Sequence, residues 1–349
     1  MTTRFRKISD VNSEQSKEIL AEAADILRSG GLVVFPTETV YGLGGDATRA
    51  DSARAIYAAK GRPADNPLII HIAQPSDASL YTETNPTYDL LAKTFLPGPL
   101  TIILTSKPVI PSEVRAGLET VAVRCPSHPV AHALIQAAGV PIAAPSANLS
   151  GKPSPTCAEH VRDDMDGRVD MIIDGGDSDV GLESTIVKIE DDGSLLLLRP
   201  GAITLSDLSR VSDSVRVAPA VTAKLAEGEK VLSPGMKYRH YAPDAPLYLL
   251  HGEFSHILSY LTAQGEQIAV LAYDEDVAML RQALPNIDIY AFGAKENLNT
   301  QAHVLFHLLR EIDKRGYRKI FAPLPRKDGI GLALYNRMIR AAAHQIIDL

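Results

Sequence analysis

Four cations, Lys60, Arg62, Arg124 and Arg199, stand among hydroxyl and amide side chains in a chain that is otherwise acidic. Each lies near the boundary of an expected strand or helix, where small polar residues cluster. A guanidinium fork matches carboxylate and phosphate geometry. Such a set, if it converges, suits a pocket for a polyanionic small molecule. The densest polar stretch is Phe35-Pro36-Thr37-Glu38-Thr39-Val40-Tyr41-Gly42-Leu43-Gly44. An apolar strand over residues 32–35 runs straight into hydroxyls, a carboxylate, a phenol and glycines. An unpaired buried hydroxyl or carboxylate costs about 1–3 kcal/mol or more. Polar groups at a strand end therefore imply a site, with the glycines letting a ligand approach the backbone.

The other clusters each admit two readings. In Lys60-Gly61-Arg62-Pro63-Ala64-Asp65-Asn66-Pro67, Lys60 closes an expected helix, where a cation also offsets the C-terminal dipole. Two prolines stiffen the loop and lower the entropic cost of holding Arg62 and Asn66. His71 lies inside an apolar strand, as a satisfied core residue or a site residue. In Thr120-Val121-Ala122-Val123-Arg124, alternation puts Arg124 on the face of Ala122. Buried there it needs an anion, either an internal carboxylate or a ligand. Ser146, Asn148, Ser150 and Gly151 follow another strand end, and Thr156-Cys157-Ala158-Glu159 reads as a capping box. A helix N-terminus at Thr156 also suits phosphate. Ser184 and Arg199 mark two further strand boundaries.

Several function classes are excluded. The chain has no GxxxxGK[ST] loop, no GxGxxG opening a helix after its first strand, no HExxH and no GxSxG. A net charge of −7 argues against nucleic-acid binding by bulk electrostatics, and the lack of tryptophan against base-stacking platforms. The two cysteines, Cys125 and Cys157, form no CxxC pair, so a zinc knuckle and a disulfide framework are excluded and a reducing cytoplasm is expected. The start, Met1-Thr2-Thr3-Arg4, lacks a signal-peptide core, and no apolar run reaches the ~20 residues that span a bilayer.

The elements that must position these residues alternate in type. The pattern predicts a helix over 13–29 ended by Gly30-Gly31, and a helix capped by Asp51 reaching residue 59. Strands are expected over 68–73, 100–104, 121–124 and 141–144, with helices over 86–95 and from a Ser127 cap to 139. Gly42, Gly44 and Gly45 read as a turn. Asp192-Gly193 between two apolar runs signals a hairpin, hence a mixed sheet. The pattern weakens over 205–231 and leads into Ser233-Pro234-Gly235-Met236-Lys237-Tyr238-Arg239-His240-Tyr241-Ala242-Pro243. Strands over 247–250, 268–273, 287–292 and 319–322, separated by helical stretches, then make a small doubly wound unit. At 349 residues two domains are expected. The α/β reading is thus a catalytic domain over 1–206, a linker over 207–245 and a small α/β domain over 246–349.

Together these runs resemble the YrdC-like family. Lys60/Arg62 and Ser146/Asn148 match its KxR and SxN signature, and the PTETVYGLG, PSANLSG, Glu183-Ser184-Thr185 and Arg199-Pro200-Gly201 runs agree with it. The SPGMKYRHYAP run and the C-terminal unit are similar to its two-domain branch, the L-threonylcarbamoyladenylate synthases. The resemblance implies an N-terminal YrdC-like domain with a twisted mixed sheet, followed by a smaller Rossmann-like domain. It implies that L-threonine, bicarbonate and ATP give threonylcarbamoyl-AMP and pyrophosphate, with Mg2+ on the phosphates. The product would pass to a tRNA threonylcarbamoyl-transfer enzyme acting beside the anticodon. By matching position, Thr39, His71, Arg124, Ser146 and Ser184 would surround threonine. Arg62, Asn66, Thr120, Asn148, Thr156 and Arg199 would hold the nucleotide, with Lys60 near its phosphates and Tyr241 closing over it. Lys60, Arg62 and His71 are the catalytic candidates, His71 as a proton acceptor. No protein side chain is expected to ligate a metal. Residues 237–243 are expected to form a lid.

Three alternatives compete. A hydrogenase-maturation carbamoyl-transfer enzyme also contains a YrdC-like module, but carries zinc-finger cysteines that this chain lacks. A double-stranded-RNA or ribosome-binding module would use the cations on phosphates without consuming ATP. A non-catalytic threonine and ATP sensor would release no pyrophosphate.

Overall fold

The computed structural model describes residues 2–223 and 240–349. The chain divides into one unit of 1–150 with 154–237 and a second of 151–153 with 238–349. In the first, an eleven-stranded sheet comprises β1 (Arg4–Lys7), β2 (Val33–Phe35), β3 (Gly42–Asp46), β4 (Ile69–His71), β5 (Leu100–Thr105), β6 (Thr120–Arg124), β7 (Ile142–Ala143), β8 (Met171–Asp174), β9 (Thr185–Ile189), β10 (Leu195–Arg199) and β11 (Val215–Val217). Their spatial order is β1-β8-β2-β3-β7-β4-β6-β5-β9-β10-β11. The sheet contains both parallel and antiparallel neighbours, so it is mixed as the hairpin signal implies. Helices Glu14–Arg28 and Pro129–Ala138 bury Ile19, Leu20, Leu27, Leu134 and Ile135 against Val33, Phe35, Ile142 and Ile173.

The glycine run departs from expectation. Residues 42–46 are a fully buried strand between β2 and β7, not a turn. A Cβ on Gly44 would lie 2.8 Å from both Phe35 Cε1 and Ile142 Cγ2. Glycine is required there by strand packing, where the sequence alone suggested backbone approach by a ligand.

Two helix caps differ from the sequence reading. The Asp51 cap gives way to Arg49 before helix Ala50–Lys60, because Asp51 turns back to pair with the Arg49 guanidinium at 2.6 Å. Ser127 gives way to His128, whose Nδ1 accepts from the Val130 N–H at 3.2 Å. The expected linker is also structured in part. Helix Leu205–Leu208 has its own capping box at Thr204, and β11 pairs in parallel with β10, extending the sheet beyond residue 206. Val215-Arg216-Val217 carried the alternation, but over too few residues to read as a strand.

The second unit holds five parallel strands, β12 (Leu247–His251), β13 (Ile268–Ala272), β14 (Asp288–Ala291), β15 (Lys319–Pro323) and β16 (Ile346–Asp348), ordered β14-β13-β15-β12-β16. Four of these follow the sequence pattern, and β16 is a short edge strand that it missed. Gly151–Pro153 belong here because the Ala242 N–H donates to Gly151 O at 2.9 Å and Arg310 Nη2 to Pro153 O at 2.6 Å. Tyr241 takes a left-handed backbone (φ 64°) and stacks on Phe306, ring centroids 5.3 Å apart. Of the expected lid, residues 237–239 lie outside the described residues. No described helix is long and apolar enough to cross a membrane.

Candidate active site

Sheet register gathers the residues. His71 on β4 and Thr101 on β5 flank Arg124 on β6 in direct register, so the three side chains share one face. The turn from β2 to β3 then supplies two partners for the guanidinium. Arg124 Nη1 donates to Thr39 Oγ1 at 2.9 Å, and Nη2 lies 2.6 Å from Glu38 Oε1. The turn is wired by Thr37, whose Oγ1 donates to Val40 O at 2.6 Å and accepts from the Thr39 and Val40 N–H groups. Arg124 thus has the internal carboxylate left open by the sequence, and it is Glu38. Burial pushes the Glu38 carboxyl up, but the Arg124 charge and nearby N–H groups outweigh that, and its pKa lies below the usual value.

His71 is buried beside Arg124, with Phe35 edge-on at 6.3 Å. Burial first, and the Arg124 charge next, lower its pKa to about 3. The ring is neutral at physiological pH and a weak base there, which argues against the proton-acceptor role considered from sequence. Its titration also bears on stability. Between pH 6.5 and about 3 the unfolded chain binds the proton and the folded one does not, so folding stability rises with pH across that window. A tenfold difference in proton affinity between the two states corresponds to about 1.4 kcal/mol. Urea denaturation of His71→Gln against the wild type is expected to show a flatter pH slope from 3 to 6.5. Parallel slopes would exclude His71 as the source.

The KxR and SxN pairs are joined through Lys60. It is the last residue of its helix, followed by Gly61 in the left-handed conformation (φ 61°). Its Nζ donates to Ser146 O and Asn148 O, both at 2.5 Å. Ser146 Oγ donates to Asn148 Oδ1 at 2.5 Å, and the Ser146 backbone bridges Gly42. The geometry makes Lys60 a clamp on the 146–148 loop, more than the phosphate contact expected from the resemblance. Lys60→Met, which keeps the stem but removes the donor, is expected to cost about 1–3 kcal/mol by leaving buried carbonyls unsatisfied. A denaturation midpoint unchanged from the wild type would refute the clamp.

Arg62 Nη2 donates to Asn66 O at 3.2 Å and Pro67 O at 3.1 Å, bracing the proline-bounded loop. At the other side of the sheet a register shift between Leu197 and Arg199 re-aims Arg199. Its Nε donates to Ser184 O at 3.0 Å and Nη2 to Ser184 Oγ at 3.1 Å. Ser184 Oγ in turn lies 2.7 Å from Thr101 Oγ1. Thr156 does not cap its helix; Cys157 is the N-cap of Ala158–Met165, and Thr156 Oγ1 faces His160 Nδ1 at 3.5 Å. With cysteine at the cap, no hydroxyl stands at the capping position.

Thr39, Lys60, Arg62, Asn66, His71, Arg124, Asn148, Thr156, Ser184 and Arg199 are all buried in the first unit, with Ser146 and Thr120 partly so. Tyr241 belongs to the second unit. Sequence reading missed the roles of Glu38 and Thr101. Thr101 was visible as the polar residue inside Leu100-Thr101-Ile102-Ile103-Leu104, but only register reveals that it faces Arg124.

The chain matches known proteins over nearly its whole length. Residues 25–201 match the Sua5, YciO and YrdC family model, described as "Telomere recombination". Residues 203–343 match "Threonylcarbamoyl-AMP synthase, C-terminal domain". The chain is 43% identical to the threonylcarbamoyl-AMP synthase of Bacillus subtilis over 98% of each chain. It is 40% identical to the Pyrococcus abyssi protein of the same name, over 94% of this chain and 95% of that one. The crystal structure of Pyrococcus abyssi Sua5 complexed with L-threonine superposes with a TM-score of 0.88 at 39% identity, covering 99% of this chain and 100% of the other. With both family models matched in order and relatives aligned almost end to end, the chain belongs to the threonylcarbamoyl-AMP synthase family.

Proposed function

We propose that this chain joins L-threonine, bicarbonate and ATP into threonylcarbamoyl-AMP and pyrophosphate. The observation that carries the reading is the buried Arg124, set between Thr39, Glu38 and His71 in a chain 39% identical to a relative crystallised with L-threonine. In the reaction bicarbonate loses water to give CO2, the free threonine amine adds to its carbon and releases a proton to solvent, and an oxygen of the resulting carbamate attacks the α-phosphorus. The bond to pyrophosphate breaks, and its oxygen departs with the electron pair. No protein nucleophile is required.

The chain's own contribution is positioning and charge neutralisation. Arg124 and the Thr39 that it contacts, together with Ser146 and Ser184, are proposed for the amino acid. Arg62, Asn66, Thr120, Asn148, Thr156 and Arg199 are proposed for the nucleotide. Lys60 supports the site by holding the Ser146–Asn148 loop. Mg2+ neutralises phosphate charge when bound. Two of the nearby carboxylates are engaged within the chain, Glu38 by Arg124 and Glu183 by Ser154. The product is proposed to pass to a tRNA threonylcarbamoyl-transfer enzyme.

A pyrophosphate-release assay with ATP, bicarbonate and each amino acid in turn tests the reading. Release that depends on threonine and bicarbonate is expected. Threonine and ATP binding with no release would make the chain a sensor, and salt-dependent RNA binding with no release would make it an RNA-binding module.

A further inference from the structure

Glu38 has no part in the reaction as written, yet it forms a close ion pair with Arg124. The two side chains meet at 2.6 Å with only 8% and 5% of their surface exposed. Such a pair costs several kcal/mol of desolvation per ion, which its mutual attraction only partly offsets. Two features suggest what the pair does. The Glu38 and Thr39 contacts to the guanidinium come from consecutive residues of a turn that Thr37 holds rigid. In addition, Nε and Nη2 of Arg124 and both Glu38 oxygens make no well-aligned hydrogen bond. The carboxylate therefore attracts the guanidinium without saturating its fork.

We propose that Glu38 is the positioning residue for Arg124, holding the guanidinium dry and aimed while leaving part of its fork for the carboxylate of the amino-acid substrate. Glu38 Oε1 lies 2.6 Å from Arg124 Nη2, so Glu38 acts on the substrate through the arginine. Its depressed pKa keeps the counter-charge in place at working pH. A fully bidentate internal pair would have to break before a ligand carboxylate bound; this one needs only to share. The inference rests on the reading that Arg124 receives the threonine carboxylate.

Calorimetry on the full chain separates the outcomes, using L-threonine and 3-hydroxybutanoate, which keeps the carboxylate and hydroxyl but lacks the amine. Glu38→Gln is expected to weaken both acids by the same factor, at least tenfold, while ATP affinity stays within twofold. In steady state the KM for threonine should rise with kcat at saturation retained, the pattern of lost uniform binding. Glu38→Asp, which keeps the charge but withdraws it by one methylene, should recover part of the loss. If Glu38→Gln does not fold, Glu38→Asp carries the test through an equal loss on both acids. Loss confined to threonine would place Glu38 on the substrate amine and overturn the positioning role, as would no loss on either. Should the wild type bind neither acid, the functional reading itself fails and takes this inference with it.

Discussion

Replacing Arg124 with alanine is expected to abolish measurable threonine binding and to destabilise the fold by about 3–5 kcal/mol, the range for removing one partner of a buried ion pair. The larger share comes from what remains. Glu38, 6% exposed, would be left with its charge and no guanidinium. The deficit should depend on pH with a definite sign. In the wild type the Glu38 pKa is depressed, so its contribution is present above the unfolded value near 4.5 and lost as pH falls through the lower folded value. In the variant burial, the largest cause, is opposed only by the backbone N–H groups of Glu38 and Ser127 and pushes the carboxyl up. Protonation then relieves the stranded charge at mildly acid pH, and the gap between variant and wild type narrows. Urea denaturation of both proteins at pH 7 and pH 5 measures this. A gap equal at the two pH values would mean that the two groups are not energetically coupled.

Gly201→Ala is the second change with a large expected effect. An added Cβ would lie 2.5 Å from the Thr185 backbone nitrogen and 2.8 Å from Glu183 O. Neither atom is free to retreat, since the Thr185 N–H donates to Pro99 O at 2.9 Å where β9 begins its pairing with β5. Relief would have to come from the segment that carries Arg199, and with it the hold on Ser184. Overpacking of side chains costs about 1–3 kcal/mol, and a collision with fixed backbone should exceed that. Thermal denaturation should show a large drop in Tm together with weakened ATP binding. Gly265→Ala is the control, since a Cβ there meets nothing within 4 Å and the backbone is not left-handed. Equal Tm values for the two variants would refute the steric account.

Much of the scaffold was legible in the sequence because it rests on local rules. Helix Glu14–Arg28 carries its apolar stripe and Ser13 cap, helix Pro86–Phe95 begins with proline after an Asn85 cap, and the β9–β10 hairpin announces itself through Asp192-Gly193. What failed was whatever depends on distant neighbours. The strand at 42–46 looks like a turn because its glycines are dictated by Phe35 and Ile142 on adjoining strands. Thr156 looks like a cap until His160 competes for its hydroxyl. The site residues were readable as types, since cations at the ends of apolar runs are costly without an anion. Their division of labour was not. Lys60 proved to be tied to backbone carbonyls, and Arg124 proved to have its own counter-ion, and both facts follow from register and loop closure.

The strand order has a further consequence for how the protein is made. β5 lies between β6, which follows it closely along the chain, and β9, which arrives only after β7 and β8. During synthesis one flank of β5 therefore waits unpaired, an apolar edge open to mispairing with other chains. Contacts of such long sequence separation are slow to close. Ser184 and Arg199 sit at the ends of the late-arriving strands, so the Thr101–Ser184–Arg199 contacts form only when the first unit is nearly whole. Nascent chains halted before residue 199 should be catalytically silent and prone to aggregate.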